Sequence, residues 1–325
     1  MRIAILGRTS LLYSAMELLV LHGHKIVLIG TCKAAAEYQV TEVDFELYAK
    51  KNNIPFFCNS KLESTTVLSL IKKVKADIAI SVNWINIIRE PVISCFKYGI
   101  LNAHAGDLPR YRGNACPNWA IICGESRIGL TVHFMEAGEL DSGKILVKEF
   151  YDLNKSTRIG DIYDWMGLTI PKMFLKAICG LDDGTIIPKS QSNDIADSLR
   201  VYPRKCTDSL INWNKSAVEI ERIVNASSEP FAGAYTWYHM KKMIIWRAYS
   251  TEWDCPSIAI PGQVIKRNDT NGQVDIACGK GILRLVEISL EDEKMQPCIA
   301  ITSLRDRLGM NVEDEIYLLY KKMNS

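Results

Sequence analysis

Several common signatures are missing from this chain. No uninterrupted apolar run is long enough to cross a bilayer, and the N-terminal stretch LLYSAMELLVLHG is broken by Glu17, so it does not read as a signal peptide. There is no excess of either charge: 39 Lys and Arg stand against 37 Asp and Glu, a net +2. That balance speaks against a protein whose main business is gripping a nucleic-acid backbone, and no nucleic acid or membrane partner is expected. The ten cysteines are scattered, with no C-x-x-C pair and no metal-like cluster. They read as reduced, mostly buried small hydrophobes in a cytoplasmic protein, and no metal is expected. Strand one is followed by Gly7-Arg8-Thr9-Ser10 rather than G-x-G-x-x-G, so a nicotinamide or flavin cofactor is not expected. A P-loop and a G-x-S-x-G elbow are also lacking.

The chain has 325 residues, 48% hydrophobic and 23% charged, which suits a globular protein of two domains. Strand-like and helix-like runs alternate through the first half. Strands are expected at Arg2–Gly7, Lys25–Gly30, Ile54–Phe57, Asp77–Val82 and Gly99–His104, with helices over Ser10–His22 (capped by Ser10), Asp44–Asn52 (capped by Asp44) and Thr65–Val74. That alternation implies a Rossmann-like, mainly parallel α/β sheet. Further elements follow: a helix at Asn118–Cys123, strands at Leu130–Phe134 and Lys144–Phe150, and a long helix over Ile159–Cys179. The polar stretch Lys189–Leu199 reads as a linker, dividing a domain of residues 1–200 from one of 201–325. Beyond it lie a helix at Ser216–Asn225 and strands at Lys242–Ala248, Gly262–Arg267, Gln273–Ala277 and Gly281–Ser289, the makings of a small antiparallel OB-like β-barrel.

The chemistry concentrates in Gly99–Gly113, GILNAHAGDLPRYRG. Asn102 and His104 lie two apart at a strand end and share a face at the carboxyl edge of the sheet, where open α/β proteins bind ligands. An amide can hydrogen-bond a developing oxyanion, and an imidazole can move a proton near neutral pH. Taken alone, N-x-H is better explained by two satisfied polar side chains at a strand end. Two more segments shift the balance: the rigid polar loop Asp107–Gly113, and Asp141 in a Gly-bounded loop, where a carboxylate near His104 would fix its tautomer. Taken alone, that Asp would be a solvated turn residue.

Together these segments resemble the folate-dependent formyltransferases, a superfamily that includes methionyl-tRNA, glycinamide ribonucleotide and nucleotide-sugar formyltransferases. Its Asn, His and Asp match Asn102, His104 and Asp141, and its LLPxYRG loop matches Asp107–Gly113 with Asp107 in place of Leu. The resemblance covers nearly the whole chain, since Leu210–Glu221 and Ser228–Trp237 look like the entry to the family's C-terminal barrel. It implies formyl transfer from 10-formyltetrahydrofolate to an amine, with Asn102, His104 and Asp141 as the catalytic set. By the same resemblance the folate lies against Asn83, Trp84, Ile85, Ile87, Leu108, Glu139 and Leu140. Trp84 reads equally well as a core or rim aromatic.

Within the superfamily, the sequence points to a nucleotide-linked amino sugar of the 4-amino-4,6-dideoxy type, in bacterial surface-glycan (O-antigen, lipopolysaccharide) biosynthesis. The segment Thr31–Phe45 has one Lys and several acids where the tRNA enzymes carry a basic insertion, the NWAIICGE stretch is closer to the sugar enzymes' pattern, and Leu199–Arg204 resembles their nucleotide-sugar segment. The acceptor would then meet Arg8, Thr9, Ser10, Arg110, Tyr202 and Arg204, although solvated linker or loop charges account for several of these equally well. Methionyl-tRNA formyltransferase is the alternative reading, and a non-catalytic binding module of the same fold a second. The resemblance admits a homodimer. The barrel aromatics Trp237, Tyr238, Trp246 and Trp253 read first as core packing.

Overall fold

A computed structural model describes residues 1–35, 38–309 and 312–324. Ala36 and Glu37, within the segment read for its lack of cations, lie outside the described residues. In chain order the first half runs β1 (Arg2–Gly7), α1 (Ser10–Leu21), β2 (Lys25–Thr31), α2 (Glu42–Lys51), β3 (Phe56–Cys58), α3 (Thr65–Val74), β4 (Ile78–Val82), α4 (Glu90–Ile93) and β5 (Ile100–His104). It continues with β6 (Arg112–Gly113), α5 (Cys116–Cys123), β7 (Arg127–Phe134), β8 (Ile145–Asp152), α6 (Ile159–Asp182) and β9 (Arg200–Val201).

Seven of these strands form one sheet in the order β3-β2-β1-β4-β5-β7-β8. Pairs from β3 to β5 are parallel, whereas β5–β7 and β7–β8 are antiparallel. The expected mainly parallel, Rossmann-like sheet is therefore present, with an antiparallel edge. β1 and β4 read as apolar runs because both faces of a central parallel strand are covered, and Ile3 to Leu6 and Ile78 to Ile80 are wholly inaccessible. α3 buries Val67, Ile71 and Val74, spaced by one and two helical turns, and ends with Lys72 and Lys73 in its last turn.

Two helix starts differ from expectation. Ser10 is the first helical residue of α1, and Thr9 takes the cap position at φ 105° without a side-chain cap. In α2 the cap is Thr41, and Asp44 occupies the third helical position, its carboxylate accepting the Thr41 N–H at 2.7 Å to close a capping box. A carboxylate three residues inside a helix satisfies the same end as one at the cap, so sequence alone cannot separate the two roles.

The strand order reverses between β1 and β4, and the crevice above their carboxyl ends is where such sheets hold ligands. Gly7, at the end of β1, is opposite Val82, and a Cβ there would meet the Val82 carbonyl oxygen at 2.3 Å. Glycine thus keeps the two central strands in register up to the rim.

The chain divides into two compact units: residues 1–117, 126–153 and 161–203, and residues 118–125, 154–160 and 204–325. The second contains α7 (Ala217–Ser227), β10 (Ala234–Tyr238), β11 (Lys241–Thr251), β12 (Val264–Asn268), β13 (Gln273–Ala277), β14 (Ile282–Leu290), β15 (Glu293–Met295), α8 (Pro297–Ala300) and α9 (Val312–Met323). Its six strands form an antiparallel sheet in the order β10-β11-β14-β13-β12, with β15 on β14. Its core holds Trp213, Ile220, Val224, Met243, Ile276 and Leu285, and Trp213 Nε1 donates to Thr236 Oγ1 at 2.9 Å. Tyr238 is buried there, its hydroxyl donating to Asp306 at 2.8 Å.

Candidate active site

β5 runs from an apolar start, Ile100 and Leu101, to the polar Asn102 and His104 at its carboxyl end, two residues apart on one face. The next strand in the sheet, β7, is antiparallel and sets His133 directly opposite Asn102 and Thr131 opposite His104. Asn102 Nδ2 lies 3.3 Å from His133 Nε2, and His133 Nδ1 donates to the Phe134 carbonyl at 2.7 Å. His104 Nε2 is 2.6 Å from the Tyr111 carbonyl oxygen. Its other nitrogen, Nδ1, faces Asp141 Oδ2 at 3.5 Å. The Tyr111 carbonyl can only accept, so Nε2 carries a hydrogen, and Nδ1, beside Asp141, is the nitrogen left to take a proton.

Asp141 reaches this place through its own loop. It adopts φ 55°, its Oδ2 accepts the Gly113 N–H at 3.0 Å, and its Oδ1 lies 3.7 Å from His133 Nε2. Gln191 Nε2 donates to the carbonyls of Asp141 and Gly143 at 2.7 and 2.8 Å, and Arg112 in turn donates to Gln191 Oε1 at 2.7 Å. The 106–115 loop is tied on its far side by the short parallel pair β6–β9. Asn83, Ala115 and Asp141 all carry left-handed backbones around the same cavity, the kind of local strain that concentrates at functional sites.

Burial pushes the His133 imidazole down to about 4, with the neighbouring His104 adding to the effect. Cys116 lies 3.7 Å from His104 Nε2, and burial pushes its thiol up to about 12, so it remains a protonated, unreactive wall of the site.

The three residues face a cavity of about 260 Å³. Its apolar walls come from Val82, Trp84, Ile87, Ile88 and Met135, and polar groups enter from Asn83, Glu136 and Glu139. A cleft that joins apolar walls to convergent polar groups is a usual form of a small-molecule site. Residues 83–88 have no regular secondary structure, which leaves backbone N–H and C=O groups beside the cleft free of a strand ladder. A flat heterocycle rich in donors and acceptors fits that combination. Bound there, a formylated reduced folate supplies an electrophilic carbonyl carbon; Asn102 can donate to its oxygen, and His104 can accept the proton that an attacking amine sheds.

Of the residues expected around the folate, Asn83, Trp84, Ile87, Glu139 and Leu140 line this cavity together with Asn102, His104 and Asp141. Two do not. Ile85 is nearly half exposed and faces a neighbouring groove, and Leu108 is wholly buried beneath the loop, where its carbonyl accepts from Lys148. Asp107, at the loop's unusual position, pairs with Lys148 at 2.7 Å.

None of the residues expected around the acceptor lines this cavity. Arg8 donates to the carbonyls of Asn83 and Lys33 and lies over the Tyr38 ring, so it fastens the cavity rim to the chain after β2. Thr9 is buried and Ser10 begins α1; neither lines the cavity. Arg110 is exposed, with its guanidinium over the Tyr111 ring. Tyr202 is exposed under Arg200. Arg204 is in the second unit, where it donates to the Asp208 carbonyl and Ser209 Oγ and covers Trp119, and burial lowers its pKa. Its Nη2 thus already serves its own chain.

His133 was missed from sequence. The one available signal was a His buried at an alternate position of an otherwise apolar strand, LTVHF, and its meaning depends on a pairing 31 residues away in sequence. Gln191 lies in the stretch read as a linker.

Residues 1–178 match the family described as formyl transferase, and residues 205–302 match the formyl transferase C-terminal domain. A methionyl-tRNA formyltransferase of Rickettsia bellii is 31% identical over 301 residues, 91% of this chain and 94% of the relative. One from Alkaliphilus oremlandii is 28% identical over 90% of this chain and 93% of the relative. Among solved structures, an N-formyltransferase of Helicobacter canadensis in complex with folinic acid and dTDP-3-aminofucose superposes with a TM-score of 0.62. It covers 88% of this chain and 99% of its own, at 18% identity, which shows a shared fold alone. The expectation of a nucleotide-linked amino sugar is thereby corrected. The curated relatives that align nearly end to end are methionyl-tRNA enzymes, and the segment that suggested a sugar nucleotide, Leu199–Arg204, is occupied with β6–β9 pairing and with Arg204's own contacts. The chain belongs to the formyl transferase family and is a folate-dependent formyltransferase that takes its one-carbon unit from 10-formyltetrahydrofolate.

Proposed function

We propose that the chain formylates the amino group of methionyl-tRNA. The observation that carries this reading is the 31% identity, over 94% of its length, to a relative named for that reaction. The catalytic geometry is in keeping with it. The neutral amine of the aminoacyl group attacks the formyl carbon, a C–N bond forms, and the bond from that carbon to the folate nitrogen breaks. Asn102 holds the oxygen that gains charge. His104, set against Asp141, takes the amine's proton and returns it to the departing nitrogen. A near-zero net charge does not oppose a nucleic-acid acceptor here. Charge balance over a whole chain says nothing of its local distribution, and only one end of the acceptor must enter the site. An acceptor made where proteins are synthesised, together with ten free cysteines, suits a reducing cytoplasm.

The test is incorporation of formyl from 10-formyltetrahydrofolate into methionyl-tRNA by the purified protein. Asn102→Ala, His104→Ala and Asp141→Ala are each expected to fold and to lower turnover by about a hundredfold or more. No formylmethionine from a folded, folate-binding protein would overturn the acceptor; near-unchanged turnover in folded His104→Ala would overturn the assignment of the catalytic residues.

A further inference from the structure

We infer that His133 is a positioning residue whose lone pair fixes the rotation of the Asn102 amide, so that an N–H and not the amide oxygen faces the reacting carbonyl. The reasoning starts from the Phe134 carbonyl. It can only accept, so the histidine nitrogen 2.7 Å away, Nδ1, carries the hydrogen. His133 is 1% exposed and its ring packs edge-on against His104 at 6.2 Å, surroundings that hold it neutral. A neutral ring with hydrogen on Nδ1 offers a bare lone pair at Nε2.

The group 3.3 Å from that lone pair is the Asn102 amide. An amide oxygen there would set two lone pairs against each other, so the NH2 end must face the ring. One of its two hydrogens is then engaged, and the other remains for the oxygen that becomes negative during transfer. Asp141 Oδ1, 3.7 Å from the same Nε2, is a second acceptor. Without His133, no acceptor at that position holds the NH2 end, and the amide can turn to leave its oxygen facing the reaction. His133 touches no reacting atom; it acts through Asn102.

This inference rests on formyl transfer and not on the identity of the acceptor, so two measurements separate the two. First, nitrogen and carbon chemical shifts of labelled histidine in the unsubstituted protein, with no acceptor added, are expected to show His133 as the neutral Nδ1–H tautomer at pH 7. Asn102→Ala should move its Nε2 resonance. An Nε2–H tautomer, or an Nε2 resonance indifferent to Asn102→Ala, overturns the inference. Second, His133→Phe, which fills the same space without an acceptor, is expected to lower kcat about tenfold while leaving KM for 10-formyltetrahydrofolate within about twofold. His133→Gln, whose oxygen can accept, should recover part of the loss, and in an Asn102→Ala background His133→Phe should cost nothing further. An unchanged kcat, or the same loss with and without Asn102, would mean that His133 only fills the core. A protein that leaves methionyl-tRNA unformylated sinks the acceptor alone, since the tautomer measurement still decides His133.

Discussion

His133 shows at the scale of one residue how burial and chemistry are linked. Its pKa in the folded chain is about 4, below the ordinary 6.5, chiefly through desolvation. Between those values the unfolded chain binds more protons than the folded one, so stability rises with pH across the window and is lost as pH falls from about 6.5 toward 4. The slope from this one group is at most about 1.4 kcal/mol per pH unit. Urea midpoints at pH 7 and pH 4.5 should therefore diverge more in the unsubstituted protein than in His133→Phe; equal losses would remove His133 as the source. At this scale the sequence was informative about Asn102, His104 and Asp141, because each stands in a short motif whose spacing survives in the chain. It was silent on His133, whose partner lies on another strand.

The next scale up is the loop that brings a carboxylate to an imidazole. Gly106 lets the chain turn back under His104: a Cβ there would sit 2.4 Å from the Tyr111 carbonyl oxygen and 2.6 Å from His104 Nε2. Gly106→Ala is expected to leave the far-ultraviolet dichroism intact and lower kcat by about tenfold or more, because the imidazole must move. Gln191 holds the Asp141 loop by two carbonyls from a stretch without regular structure. Gln191→Leu should lower kcat to a similar degree while the protein still unfolds cooperatively, and a variant with full turnover would show that the loop holds without it. Most helices and central strands were legible within two or three residues, since burial imposes a period on their side chains, but the short α4 and α8 were not read. Their caps were less so, because Thr41 and Asp44 share one capping box and either can be read as the cap. β10 and α9 were not assigned: β10 lies inside the stretch read only as the entry to the barrel, and α9 carries Ile316, Tyr317 and Tyr320 exposed rather than packed on one buried face.

For the molecule as a whole, the proposed acceptor makes a prediction that no single side chain can. Binding a polyanion releases counterions, so KM for methionyl-tRNA should rise with salt, whereas KM for 10-formyltetrahydrofolate should change little. Two or three phosphate contacts would increase KM for tRNA by roughly tenfold as KCl is raised from about 50 to 200 mM. A flat response would remove phosphate contacts from the account of binding.

Periodicity was enough to determine the α/β order and the antiparallel second half, and the resemblance of short motifs pointed to the family, because all of these stay contiguous in the chain. Tertiary structure alone decided which polar residues meet. Strand pairing set His133 against Asn102 and loop closure brought Asp141 to His104, contacts made between parts of the chain that no local spacing records. The acceptor was misjudged because the scarcity of cations in Thr31–Phe45 and the likeness of short segments such as Leu199–Arg204 were taken as a sign of what binds, whereas Arg204 donates to neighbours in its own part of the chain.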